Sequence, residues 1–351
     1  MKDFKPTITY KNKTLYFLDQ QKLPAEKIKL KISDYKTLIR AIKQLKIRGA
    51  PAIGVCGAYG VVLAAADLAG AAVSSSAFRQ KLNRAAQALR AARPTAVNLS
   101  WAVNRVTSVV NNAKEAAPLQ LVKKAEKEAA EIMKEDMAIG IKLGKTGASL
   151  IKNKCNYLTH CNAGGLATAG MGSALSIFYF AHKKNKNFKI YVDETRPLLQ
   201  GARLTTFELK RWGIPYVLIC DNMAAALMHS GTIDAVITGA DRIAMNGDAA
   251  NKTGTYNLAV LAKYHKLPFY IAAPYSTFDK DTARGAEIEI ELRHKNELLY
   301  FNNKQIAPLS SAVYNPAFDV VPAGLISGIV TEKGIIYKPD KRKIDKFLKN
   351  R

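Results

Sequence analysis

Residues 157–175, "YLTHCNAGGLATAGMGSAL", decide how this chain is read. An apolar run stops at His160–Cys161–Asn162, glycines turn the chain, and small residues at helical spacing follow. The pattern predicts the end of a buried strand, a turn and a helix. It recurs downstream. "KIYVDE" (189–194) precedes "QGARLTTFELKRWG" (200–213), and "YVLICD" (216–221) precedes "NMAAALMHSG" (222–231). "AVITGAD" (235–241) precedes "TGTYNLAVLAKYHK" (253–266), and "PFYIAAP" (268–274) closes the series. Short β-rich runs alternating with helices predict an α/β architecture with a mostly parallel sheet covered on both faces.

The first half reads differently. "TITYKNKTLYFL" (7–18) predicts a hairpin turning at Lys11–Lys13. From Ser33 to about Ala92 the pattern is helical, with Ser33 as a cap and Leu38, Ile42 and Leu45 on one face. "VSSSAF" (73–78) interrupts it and caps the next helix, and residues 96–112 continue after Pro94. Residues 119–152 form a long charged helix that reads as a connector, with Glu and Lys at helical spacing.

Bulk properties narrow the class. The chain has 351 residues, enough for two domains; 48% are hydrophobic and 23% charged, as in soluble globular proteins. Its four cysteines (56, 155, 161, 220) include no CxxC pair, so a zinc site or disulfide framework is not expected, and a cytoplasmic, reducing setting is. "MKDFKPTITY" lacks the apolar core of a signal peptide. Residues 53–73 approach the length of a membrane span, but they are rich in Ala and Gly and carry Asp67, so a buried helix is expected and no membrane partner. The net charge of +25 is spread over the chain, without aromatics interleaved among basic residues. That favours anionic small molecules such as phosphate esters over nucleic acid.

Ligands of open α/β sheets bind beyond the carboxyl ends of the strands. Those positions hold His160, Cys161 and Asn162; Asp193 and Glu194; Asp221 and Asn222; Asp241; and Pro274. A single Asp at a strand end is an ordinary turn or cap residue, whereas four such ends in succession point to a site. Most cysteines are core filler. Cys161, however, precedes Gly164 and Gly165 and an expected helix N-terminus, which would lower its thiol pKa and attract anions. Cys56, Cys155 and Cys220 sit in apolar runs and read as buried thiols. Asp241, if desolvated, would serve as a general acid. Arg48 and Arg93 each precede a helix start, an arrangement suited to phosphate, and Lys252 lies in the small-residue loop "NGDAANKTGTY" (246–256). "GIKLGKTGAS" (140–149) is not a P-loop: three residues separate its glycines where four are needed, and it follows a helix.

Seven blocks together resemble the methylthioribose-1-phosphate isomerase family. They are "IRGAPAIGVCGAYGVVLAA", "RPTAVNLSWA", "LTHCNAGGLATAG", "DETRPLLQGARLTTFEL", "GADRIAMNGDAANKTGTYNLAVLA", "PFYIAAPYSTFD" and "NPAFDVVPAGLI", in that order from about residue 40 to 335. The wider superfamily also holds ribose-1,5-bisphosphate and 5-deoxyribose-1-phosphate isomerases and regulatory subunits of a translation-initiation exchange factor. The resemblance implies a mainly helical domain with a small β-sheet (1–125), a connecting helix (126–153) and a Rossmann-like catalytic domain (154–351). It implies a homodimer and a sugar-phosphate substrate, with neither metal nor other cofactor. It also implies Cys161 and Asp241 as the catalytic pair, with Arg48, Gly49, Ala50, Arg93, Gln200, Asn251 and Lys252 binding substrate.

Overall fold

The computed structural model describes residues 6–70, 74–94, 96–114 and 117–349. Thr95 of the "RPTAVNLSWA" block and Val73 of "VSSSAF" lie outside them. The chain forms two compact units, residues 1–140 with 164–172, and residues 141–163 with 173–351.

The first unit opens with a three-stranded antiparallel sheet of β1 (Ile8–Lys11), β2 (Thr14–Leu18) and β3 (Lys29–Ile32). The hairpin was legible, whereas β3, with alternating lysines, carried too little apolar signal. Five helices follow: α1 (Tyr35–Lys43), α2 (Ala50–Ala69), α3 (Ser75–Arg90), α4 (Val97–Asn111) and α5 (Pro118–Gly147), the last running on into the second unit. The cap of α1 is Asp34 rather than Ser33, because the Asp34 carboxylate accepts the Thr37 N–H at 2.8 Å. Leu45 lies past the end of α1 with φ 54°, off the expected face. Ser74 caps α3.

Helix α2 is the unit's central core element. Ala52 to Ala65 are buried without a break, and Asp67 is exposed near the end. Its apolar length is spent on protein packing. A side chain at Gly57 would meet Leu99 of α4 at 2.5 Å, and one at Gly60 would meet Leu89 of α3 at 2.7 Å. The P-loop look-alike lies mostly within α5, with its last residues in the short turn that follows.

The second unit is built on a seven-stranded sheet. Its elements in chain order are β4 (Cys155–Thr159), α6 (Ala174–Lys183), β5 (Phe188–Asp193), α7 (Thr206–Trp212), β6 (Tyr216–Ile219), α8 (Ala224–His229), β7 (Ala235–Thr238), β8 (Arg242–Ile243), β9 (Ala249–Lys252), α9 (Thr255–Tyr264) and β10 (Phe269–Ala272). Then come α10 (Asn296–Leu299), β11 (Tyr300–Phe301), β12 (Lys304–Gln305), β13 (Phe318–Val321), β14 (Gly328–Thr331), β15 (Gly334–Tyr337) and α11 (Lys341–Lys349). The order is β15-β14-β10-β7-β4-β5-β6, parallel except for β15 against β14. This is the expected α/β class, and consecutive residues serve two cores. Leu158 and Val236 pack on one face, Tyr157, Ala235 and Ile237 on the other.

Three strands form a separate antiparallel sheet, β13-β9-β8. The sequence reading took residues 246–256 for a loop; short Ala-rich strands paired to a distant partner leave no periodic signature. Cys220 corrects another expectation. It is exposed, because β6 is the sheet's edge strand and also leaves Val217 and Leu218 partly in water.

Candidate functional site

The topology singles out one place. From β4 the chain winds outward through β5 and β6, then returns to the other side of β4 for β7, β10 and β14. The reversal falls between β4 and β7, the switch point where open α/β sheets bind ligands. Cys161 lies two residues beyond β4 and Asp241 three beyond β7, and the two strands pair in parallel. The predicted pair thus leaves neighbouring strands at the same edge.

Cys161 adopts a left-handed backbone with φ 59°. For a residue with a Cβ this is uncommon and costs about 1–2 kcal/mol. Two threonine hydroxyls hold it there. Thr195 Oγ1 accepts the Cys161 N–H at 2.8 Å, and Thr205 Oγ1 donates to the Cys161 carbonyl at 2.6 Å. Thr195 is itself left-handed at φ 65°. Strain of this kind persists only where surrounding contacts dictate it, and it collects at functional sites. Next to the thiol, the Asn162 side chain donates to Glu208 at 2.8 Å and to Thr205 at 3.2 Å.

The α-helix expected just after Gly164–Gly165 is replaced by a single 3₁₀ turn, Gly165–Ala167; α6 begins at Ala174. Side chains of the first unit satisfy the intervening backbone instead. Asp136 accepts the Ala169 N–H at 2.7 Å, and Gln20 donates to the Leu166 carbonyl at 2.8 Å. Thr168 Oγ1 accepts from both Gly170 and Gly172 at 3.0 Å. The helix-terminus argument for Cys161 therefore lapses, and the threonine clamp replaces it as what sets the thiol's position.

Asp241 is half-buried, and its backbone N–H donates to the Ala250 carbonyl at 2.9 Å. The pairing of β8 with β9 (Arg242 opposite Ala250) brings Asn251 into register with Asp241. Asn251 is buried and donates to Thr255 Oγ1 at 3.0 Å. Lys252 Nζ donates to the Ala317 carbonyl at 2.6 Å and lies over the Phe318 ring at 4.7 Å. Gln200 is buried, with an Oε1 that has no hydrogen-bond partner. It leads into a π-helical turn, Gly201–Thr205, a form often found at functional sites. A side chain at Gly201 would lie 1.7 Å from the Asp193 carbonyl, so only glycine fits.

The unit thus gathers Cys161, Asp241, Gln200, Asn251 and Lys252 around the carboxyl edge. Arg48, Gly49, Ala50 and Arg93 belong to the first unit. Gly49, with φ 92°, caps α2, and Ala50 opens it. Arg93 precedes α4, and Gly54 near the start of α2 packs on Asn98 near the start of α4, so both arginines lie toward one end of this helix pair. Sequence reasoning missed the clamp residues Thr195 and Thr205, whose role depends on two backbone atoms of Cys161 and leaves no spacing signal. It noted His160 and Asp193 as strand ends, without the 2.9 Å hydrogen bond that joins them.

The chain belongs to the Initiation factor 2 subunit family, which it matches over residues 46–338. Within that family its similarity runs to named isomerases. It is 50% identical to the methylthioribose-1-phosphate isomerase of Caldicellulosiruptor saccharolyticus over 338 residues, covering 96% of this chain and 98% of the relative. It is 46% identical to the protein of that name from Thermoanaerobacter sp., covering 99% and 100%. The crystal structure of 5-methylthioribose 1-phosphate isomerase from Pyrococcus horikoshii superposes with TM-score 0.92 at 41% identity, covering 99% of this chain and 97% of that one. A structure from A. fulgidus described as translation initiation factor eIF-2B, subunit delta, gives 0.87 at 39%, covering 98% and 99%.

Proposed function

We propose that this chain is an aldose–ketose isomerase that converts 5-methylthioribose 1-phosphate to 5-methylthioribulose 1-phosphate, a step of methionine salvage. The observation that carries the reading is the strained, clamped Cys161 beside the Asp241 strand end at the switch point. The full-length similarity to named isomerases supplies the substrate.

The chemistry explains why an acid and a second group are needed. Phosphate on the anomeric oxygen blocks ordinary opening to a free aldehyde. Asp241 is assigned to protonate the ring oxygen as its bond to C1 breaks, leaving C1 electron-poor. Hydrogen then moves from C2 to C1 and the C2 hydroxyl loses its proton, giving the ketone. Cys161 is assigned to the C2 side, as base or as stabiliser of the charged intermediate. The reaction is redox-neutral and calls for neither a metal nor a nicotinamide. Gln200, Asn251 and Lys252 are assigned to substrate binding, and Arg48, Gly49, Ala50 and Arg93 to the same ligand on the sequence resemblance alone. The reading includes a homodimer in the cytoplasm, without nucleic-acid or membrane partners. Tyr256, Val260 and Tyr264, exposed at four-residue intervals along α9, support self-association; sedimentation at the mass of a single chain would refute it.

The test is kcat/KM on methylthioribose 1-phosphate, ribose 1,5-bisphosphate and 5-deoxyribose 1-phosphate, with the first expected to be largest. A preference for another member makes the chain a sister isomerase. Turnover of none supports a regulatory subunit, the reading favoured by the A. fulgidus likeness. Solvent deuterium at C1 of the product would exclude a pure hydride shift.

A further inference from the structure

We infer that His160 is a positioning residue, a doubly protonated imidazolium that ties the Asn251–Lys252 segment to the Cys161 turn. The inference rests on the site reading given above. His160 is buried, and both ring nitrogens are engaged: Nδ1 lies 2.9 Å from Asp193 Oδ2, and Nε2 lies 2.9 Å from the Thr253 carbonyl oxygen. A carbonyl only accepts, so Nε2 carries a proton. Nδ1 carries the second and donates it in a hydrogen bond to the Asp193 carboxylate.

Each end of this strut bears on a site segment. Thr253 follows Asn251 and Lys252 directly. Its neighbour Gly254, with φ 104°, would place a Cβ 2.9 Å from the ring, so His160 packs on bare backbone where α9 starts. At the other end, the Asp193 carbonyl accepts from the same Thr195 hydroxyl that holds the Cys161 N–H. The cluster of His160, Asp193 and Asp221 has metal-ligand chemistry, but both ring nitrogens and Asp193 Oδ2 are committed to the protein, and of these carboxylate oxygens Asp193 Oδ1 is the one buried without a hydrogen-bond partner. The Asp221 oxygens accept the backbone N–H groups of Thr195 and Arg196, each at 2.7 Å.

The surroundings favour the charged ring. Asp193 and Glu194 at the end of β5, Asp221 after β6 and Asp319 of β13 face this region, with the Lys252 ammonium beside Asp319. Burial opposes the charge, and the Asp193 bond and the nearby carboxylates outweigh it, holding His160 above its ordinary value. Burial also pushes Asp193 up to about 6, so the carboxylate form prevails above that pH, and the ion pair holds until the ring loses its proton. Deprotonation of the ring at higher pH turns a lone pair toward the carboxylate and loosens the strut.

Long-range ¹H–¹⁵N spectra of the unaltered, histidine-labelled protein test the charge state. His160, assigned by its loss in His160→Gln, should keep both nitrogens protonated at pH above the ordinary imidazole value of about 6.5. An unprotonated Nδ1 there overturns the proposal. For function, His160→Gln should raise KM about 10-fold, with a smaller effect on kcat and without the wild-type alkaline fall in kcat/KM. Asp193→Asn should move that fall to lower pH, a shift that a merely structural role would not produce. An unchanged alkaline limb in Asp193→Asn overturns the proposal alone, whereas full activity in Cys161→Ser and Asp241→Asn overturns the site reading beneath it.

Discussion

The clamp on Cys161 makes a prediction that can be worked from the backbone. Cys161→Ala keeps a Cβ in the left-handed region at φ 59°, and Cys161→Gly removes it. Relief of that strain contributes about 1–2 kcal/mol to the glycine variant. The extra freedom of glycine in the unfolded chain opposes it by about 0.4–1 kcal/mol. Neither substitution disturbs the hydroxyls, because Thr195 and Thr205 bond the backbone N–H and carbonyl. The glycine variant is therefore more stable than the alanine variant by about 0.5–1 kcal/mol, the reverse of their order at an ordinary position. Urea unfolding of both, followed by a probe in the second unit, measures the difference. A glycine variant less stable than the alanine variant would show that the turn stores no strain. Both variants are expected to be inactive, which separates the energetic role of the turn from the chemical role of the thiol.

Other expectations follow from single contacts. Asp241→Asn should lower kcat by about 100-fold or more with the fold intact, and a near-normal kcat removes this residue from the acid role. Gly201→Ala should abolish folded expression, since its Cβ would lie 1.7 Å from the Asp193 carbonyl, while Gly324→Ala, with nothing within 4 Å, should be silent. Cys220 should be alkylated in the native protein, with a rate that climbs with pH because Glu194 beside it raises the thiol, while buried Cys56 should react only on unfolding. His160 carries a raised value in the fold, so its stabilising contribution is complete below the ordinary value of about 6.5 and is lost as pH rises through the folded one. Stability curves of wild type and Asp193→Asn should accordingly differ above about pH 6, where Asp193 is ionised, and converge as pH rises through the folded value of His160.

Much was legible because strand ends are local. Each apolar run stops where its strand stops, so His160, Cys161, Asp193, Asp221 and Asp241 were readable as one edge before any strand order was known. Burial of α2 was legible as well, since Ala and Gly at that density suit close helix packing, and exposed Asp67 sits past the buried run. What a window of sequence could not contain was pairing across distance. The placement of β7 beside β4, which puts Asp241 next to Cys161, is a matter of sheet order. So is the pairing of β9 with β13, some 65 residues further along the chain, whereas the β8–β9 pairing that holds Asn251 in register with Asp241 is local.

The sequence by itself determined the βα alternation, the buried helix and the identity of the chemical groups, because periodicity and residue type are properties of neighbours along the chain. Tertiary structure alone decided the left-handed turn at Cys161, the hydroxyls that enforce it and the Asp193–His160–Thr253 strut. Those depend on hydrogen bonds between residues about 30 to 90 positions apart, and only the folded chain brings their donors and acceptors within reach.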